Sequence, residues 1–214
     1  MRKHFLPLTL IGLLILAWII AYPKLPDQVP IHWNLNGEAD GFATRINAMF
    51  STLGIMVLIY VSMAFLPKVD PRKSNYQYFS KSYNIMMNVL LGVFFVINLF
   101  VIFNAVGYDV PIATMGPLVV GIIFMVLGNY MPQVRSNFFI GIRNPWTLSS
   151  DEVWKKTHRA ASKIFFFGGF IMITTTFAPA FWKEAVFIAV IAITIITPYL
   201  YSYFLYRKSG TNRS

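Results

Sequence analysis

Three histidines, eight carboxylates and no cysteine make up the sparse chemistry of this chain. Without thiols there is no thiolate catalysis, no disulfide and no cysteine metal site. His4, His32 and His158 lie far apart in sequence. One histidine with scattered carboxylates does not make a metal-ligand spacing, so no metal and no cofactor are expected. There is no HExxH pair, no nucleophile elbow and no glycine-rich phosphate loop. Glu152 and His158 are six residues apart, a poor spacing for one helical face. The chain is expected not to be an enzyme.

Polar and aromatic side chains gather instead in two segments, Pro23–Asn47 and Pro132–Lys163. In the first, Pro23, Pro26 and Pro30 keep the backbone extended. Val29, Ile31 and Trp33 alternate with Gln28, Pro30, His32 and Asn34, which suits a short extended segment with one buried face. Asn36-Gly37 and Asp40-Gly41 read as turn pairs. Trp33 and Phe42 suit the membrane interface or a cap on a helical bundle. His32, Trp33, Asn34, Gly37 and Asp40 are the ligand-binding candidates. The competing reading is that the polar ones only hold the loop's own backbone.

The second segment ends in a helix start. Ser149 as N-cap and Glu152 three residues on read as a capping box, and Asp151 and Glu152 suit the helix dipole. Glu152 and Lys156 can pair. Val153, Trp154, Thr157, Ala161 and Ile164 trace one flank, with Lys155, Lys156, Arg159 and Lys163 largely elsewhere. Pro145 forbids helix at Asn144, and Gly141 allows a sharp turn. Arg143 and Trp146 are expected to project from a rigid non-helical stretch. They serve either as interface anchors or as a docking surface.

What positions both segments is a set of six apolar stretches: Phe5–Tyr22, Ala48–Leu66, Ile85–Val106, Ile112–Met131, Ile164–Ala180 and Ala185–Tyr206. None contains a charged residue or histidine. At ~1.5 Å per residue each is long enough to cross a ~30 Å hydrocarbon core. The hydrophobic fraction is 57%, only 12% of residues are charged, and mean hydropathy is +0.59. The expected fold is therefore all-α: one polytopic membrane domain, residues 1–214, with six transmembrane helices. The first stretch follows Arg2 and Lys3 but has no small-residue cleavage site after it. It reads as a retained helix rather than a signal peptide.

Charge sets the expected orientation. With the N-terminus inside, 15 of the 18 basic residues fall in cytoplasmic segments, and only Lys24, Arg45 and Lys183 fall outside. The positive-inside rule then puts both termini in the cytoplasm, segment 23–47 outside and segment 132–163 inside with an interfacial helix. No two histidines can share a site across that membrane. The net charge of +10 is explained by topology and contact with anionic headgroups. The basic residues lie in short loops rather than on one folded face, so no direct nucleic-acid partner is expected.

Within the stretches, Asn88, Asn98, Asn104 and Thr174 to Thr176 are polar, and Gly121 and Gly128 fall on one face. Such residues glue helices together; the alternative is a polar path for a substrate. No intramembrane acid or base supports coupled transport.

Two motif sets resemble a known family. The outer Pro30-Ile31-His32-Trp33-Asn34-x-x-Gly37 with Asp40-Gly41 resembles a small domain of bacterial membrane proteins. Asn129 to Pro132, Asn137-Phe138-Phe139-Ile140-Gly141-Ile142-Arg143-x-Pro145-Trp146-Thr147-Leu148 and Glu152-Val153-Trp154-x-x-Thr157-His158-Arg159 resemble the signature of the SdpI family. The resemblance covers essentially the whole chain. It implies residence in the bacterial cytoplasmic membrane and immunity to a secreted antimicrobial peptide toxin. It also implies signal transduction, in which a small winged-helix repressor is held at the membrane. Arg143, Pro145, Trp146, Glu152, Trp154, His158 and Arg159 are the docking candidates for that partner. A peptide or small-molecule transporter is the alternative.

Overall fold

The structure, a computed structural model, describes residues 2–34 and 37–211. Among the described residues there are seven α-helices: α1 (Arg2–Ala21), α2 (Arg45–Val69), α3 (Ser80–Ala105), α4 (Ile112–Tyr130), α5 (Pro145–Ser149), α6 (Asp151–Thr175) and α7 (Ala180–Thr211). A hairpin of β1 (Gln28–Trp33) and β2 (Ala39–Thr44) joins α1 to α2. Among the described residues, five helical segments are long and apolar enough to cross a membrane: Lys3–Lys24, Arg45–Val69, Lys73–Ala105, Ile112–Gln133 and Trp182–Ser209. The protein is an all-α, multi-pass membrane bundle. Its exposed surface fits that environment: Phe5, Leu58, Phe65 and Ile195 are all more than half exposed, which water would not tolerate over so much area.

The expected span over Ile164–Ala180 is shorter as a helix. α6 stops at Thr175, where Thr176 donates its backbone N–H to the Ile173 and Thr174 carbonyls. Its apolar run, residues 164 to 175, therefore rises only about 18 Å, and α6 is not among the five.

Two compact units divide the chain, residues 1–64 with 87–119, and residues 65–86 with 120–214. The first has an apolar core of Leu14, Trp18, Val29, Ala48, Met56 and Leu91, each at most 1% exposed. A lone indole N–H in hydrocarbon needs an acceptor. Trp18 Nε1 accordingly donates to Asn98 Oδ1 at 3.2 Å, and Asn98 Nδ2 donates to the Phe94 carbonyl at 2.8 Å. Here an asparagine read as glue does act as glue.

In the second unit the glycine face of α4 meets α6. A Cβ on Gly121 would stand 2.7 Å from the Gly169 carbonyl oxygen, and one on Gly128 would stand 2.6 Å from Phe166 N. Only glycine permits such backbone approach, the small-residue contact that substitutes for hydrophobic drive inside lipid.

Candidate functional site

The hairpin and the segment between α4 and α6 hold the candidate residues. The hairpin is antiparallel, but its register shifts between Pro30 and His32 and again between His32 and Trp33. Those irregularities break the expected alternation. Val29 and Pro30 are both buried, whereas Ile31 and His32 are exposed. Asp40-Gly41 is not a turn: both residues belong to β2, and Gly41 lies opposite His32, so close that a Cβ would come within 2.8 Å of His32 Cβ. The turn is made at Gly37, at φ +84°; its expected partner Asn36 lies outside the described residues.

His32 Nδ1 and Asp40 Oδ1 approach to 2.5 Å on the exposed face. Asn34 is committed to the loop. Its Nδ2 donates to Glu38 Oε2 at 2.9 Å, its Oδ1 accepts the Glu38 N–H at 3.0 Å, and its carbonyl accepts the Gly37 N–H at 3.0 Å. Trp33 packs partly buried against the unit's core, while Phe42 is 56% exposed. Of the five outer candidates, His32 and Asp40 therefore offer free polar surface together, and Trp33, Asn34 and Gly37 shape the loop beneath them.

The inner segment is a built platform. Asn137, fully buried, folds the chain around itself: its Nδ2 donates to the Arg135 and Ile140 carbonyls, and its Oδ1 accepts the Phe139 and Ile140 N–H groups, all within 2.9 Å. Gly141 then turns at φ +109°. Asn144 caps α5 with a reciprocal bond to Thr147, at 2.9 and 3.0 Å, and its Nδ2 donates to Ser202 Oγ on α7 at 2.7 Å.

Two local expectations are corrected. Ser150, not Ser149, is the N-cap of α6, accepting from Val153 N at 3.3 Å. Ser149 instead closes α5, its hydroxyl donating to the Pro145 carbonyl at 2.7 Å. Pro145 starts a helix at its N1 position, where its missing N–H costs nothing. Trp146 is thus helical and turned inward, its ring 5.0 Å from both Tyr199 and Tyr203 of α7.

Trp154 and His158 form the platform's floor. Both are at most 2% exposed, and their rings stack 4.1 Å apart. Trp154 Nε1 donates to the Val134 carbonyl at 2.8 Å. His158 Nδ1 faces the Trp154 carbonyl at 2.9 Å, and its Nε2 faces the Ile142 N–H at 3.1 Å. A carbonyl can only accept and an N–H can only donate, so the ring is neutral with its proton on Nδ1. Burial pushes its pKa down from 6.5 to about 4, against the Trp154 carbonyl, which raises it. Of the seven inner candidates, Arg143, Pro145, Glu152 and Arg159 are exposed, and Trp146, Trp154 and His158 lie within the packing. Arg143 Nη1 donates to the Phe138 carbonyl at 2.6 Å, and Glu152 pairs with Lys156 at 2.6 Å.

Sequence reasoning missed Asp70. It is 2% exposed, yet its Oδ1 accepts the Arg72 N–H at 2.7 Å, and its Oδ2 accepts the Tyr76 hydroxyl at 3.0 Å and the Phe138 N–H at 2.9 Å. Arg72 reaches the same segment. Its guanidinium bonds Ser136 Oγ and the Leu148 carbonyl and lies over the Phe138 ring at 5.3 Å. The available signal was a single acid before a proline in an otherwise basic loop.

Residues 133–202, which hold most of this platform and run on into α7, match the SdpI/YfhL protein family. Residues 9–57, spanning the hairpin, match a domain of unknown function, DUF1648. The chain is 29% identical over 213 residues to the Immunity protein SdpI of Bacillus subtilis (strain 168), covering the whole of both chains. No solved structure matches. Neither the family nor this relative is named for an enzyme. The chain is thus similar to the SdpI/YfhL protein family over residues 133–202, and to an immunity protein along its whole length.

Proposed function

We propose that this protein is a membrane immunity protein of the bacterial cytoplasmic membrane that protects its cell from a secreted peptide toxin. The observation that carries the reading is the alignment with an immunity protein over the whole of both chains. In this reading α6, its short helical apolar run continued by the uncharged residues 176–179, completes a sixth crossing, both termini lie inside, the hairpin faces outward and the platform faces the cytoplasm. The excess of cations in the segments assigned to the inside supports that orientation.

The exposed His32–Asp40 pair and neighbouring Phe42 give the outer face polar and aromatic groups for an amphipathic peptide. The inner platform holds a cytoplasmic partner, a small winged-helix repressor, through Arg143, Pro145, Glu152 and Arg159. Trp146, Trp154 and His158 position that surface from below. For information to cross, the toxin must bind two arrangements of the bundle with different affinity.

Replacing His32, Trp33 and Asn34 by Ala tests the outer half, with toxin survival and reporter induction measured separately. Loss of either supports the reading; unchanged values for both remove the hairpin from the mechanism. Purified protein in liposomes separates immunity by binding from export. Toxin bound without flux is expected, and flux that depends on the protein contradicts it.

A further inference from the structure

One groove lies outside both candidate sites. It runs between α6 and α7 with a volume of about 300 Å³, walled by Ile164, Phe167, Ile171 and Ile193, with Lys163 at one end. Gly168 gives it its form. A Cβ there would stand 2.9 Å from Val190 Cγ1 and 3.5 Å from Thr194 Cγ2, so the missing side chain lets α7 lie close and leaves a furrow beside the contact. The Thr194 hydroxyl is turned back onto the Val190 and Ile191 carbonyls of its own helix, at 2.8 and 2.9 Å, and offers nothing to an occupant. Phe167 and Ile193 are 61% and 54% exposed, so the groove opens toward hydrocarbon. Lys163 is exposed, and among the described residues no carboxylate pairs with it.

We infer that this groove seats an acyl chain of an anionic phospholipid, with the lipid phosphate on the Lys163 ammonium. Apolar walls without a spare donor or acceptor suit a hydrocarbon chain and reject a polar ligand. The single cation at one end supplies the charge that selects the headgroup. α6 has a short apolar run, so the flexible lysine stem can reach headgroup level beside it. The inference rests on the chain spanning a membrane and is independent of the immunity reading.

Native mass spectrometry of the full chain in mild detergent tests it, titrated with phosphatidylglycerol and phosphatidylethanolamine of identical acyl chains. One retained phosphatidylglycerol is expected, preferred roughly fivefold over phosphatidylethanolamine. Lys163→Gln should bring that ratio to about one. Ile171→Trp, filling the furrow from an exposed position, should lower retention of both lipids. Ile193→Trp makes the same change from α7, so the result does not depend on one variant folding. Equal retention of the two lipids by the unaltered protein overturns the proposal, as does a preference that survives Lys163→Gln. So does a photo-crosslinker at position 193 that captures a second copy or an added apolar peptide in place of lipid.

Discussion

The carboxylate of Asp70 accepts the backbone N–H of Phe138 at 2.9 Å across 68 residues of chain. Together with Tyr76 and Arg72 it ties the link between α2 and α3 to the platform's first turn. Replacing Asp70 by Ala leaves the Phe138 N–H and the Tyr76 hydroxyl without their charged acceptor in a buried site. The expected loss is about 2–4 kcal/mol. A fall in thermal midpoint in detergent, with new protease cleavage between residues 134 and 144, checks it; an unchanged midpoint contradicts the latch.

His158 gives the platform a pH dependence of defined sign. Its folded pKa of about 4 lies below its ordinary 6.5. Above pH 6.5 the ring is neutral folded or unfolded, and its contribution is fully present. As pH falls from 6.5 to about 4 the unfolded chain takes up a proton that the folded one refuses. Stability then drops by a total of about 3 kcal/mol. Below that the folded ring protonates as well. Thermal unfolding between pH 4 and 8 should show this slope in the unaltered protein. His158→Phe should be less stable at pH 7, because the Ile142 N–H loses its acceptor, and should lack that part of the slope, so the two proteins converge toward pH 4.

The glycines of α4 are not equivalent. Gly121→Ala and Gly128→Ala push a methyl into backbone atoms of α6 at 2.7 Å or closer, where nothing flexible can yield, and should cost about 1–3 kcal/mol. Gly116→Ala, with nothing within 4 Å, should be neutral or slightly stabilising. Unfolding midpoints of the three variants decide this, and equal effects at all three would remove the α4–α6 contact from the account.

Trp18 and Asn98 should be coupled. Trp18→Phe alone strands the Asn98 carbonyl oxygen in a buried site, and Asn98→Leu alone strands the indole N–H. A double-mutant cycle in detergent should return a coupling of about 0.6–2 kcal/mol. A value near zero would make the bond incidental.

Much of this was legible from residue type and spacing. Gly121 and Gly128 are seven apart, which fixes them on one helical face, although nothing in α4 itself names α6 as their partner. The buried flank of α6 was readable from Val153, Trp154, Thr157 and Ala161, because helical period decides it. The spacing of Ser149 and Glu152 pointed to Ser149 as the cap of α6, which the structure corrects. The choice fell to Ser150 because Asn144 and Pro145 had already begun a separate short helix. Asp40-Gly41 looked like a turn because the pair favours one in isolation, but the bulges at His32 shift the register and draw it into β2. Asp70 was hidden because its partners come from 68 residues away, beyond any local pattern. Burial likewise separates Trp154 and His158 from Arg143 and Arg159, though all four stand in one sequence signature.

Docking at the inner face should depend on Arg143 more than on overall charge. Arg143→Ala is expected to weaken repressor recruitment at least severalfold while membrane levels stay normal. Lys208→Ala, also cationic but outside the platform signature, should leave recruitment unchanged. Co-purification of the repressor with each membrane fraction measures both, and equal recruitment by all forms contradicts the docking role.

The most direct measurement is protection itself. The chain is expressed in bacteria that lack their own immunity gene and are killed by a secreted peptide toxin, and survival is counted with and without toxin. The account predicts survival restored by the unaltered chain and lost with Asp70→Ala when protein level falls. Death at the same toxin dose as the empty-vector strain, with the full-length chain present in the membrane, would contradict it.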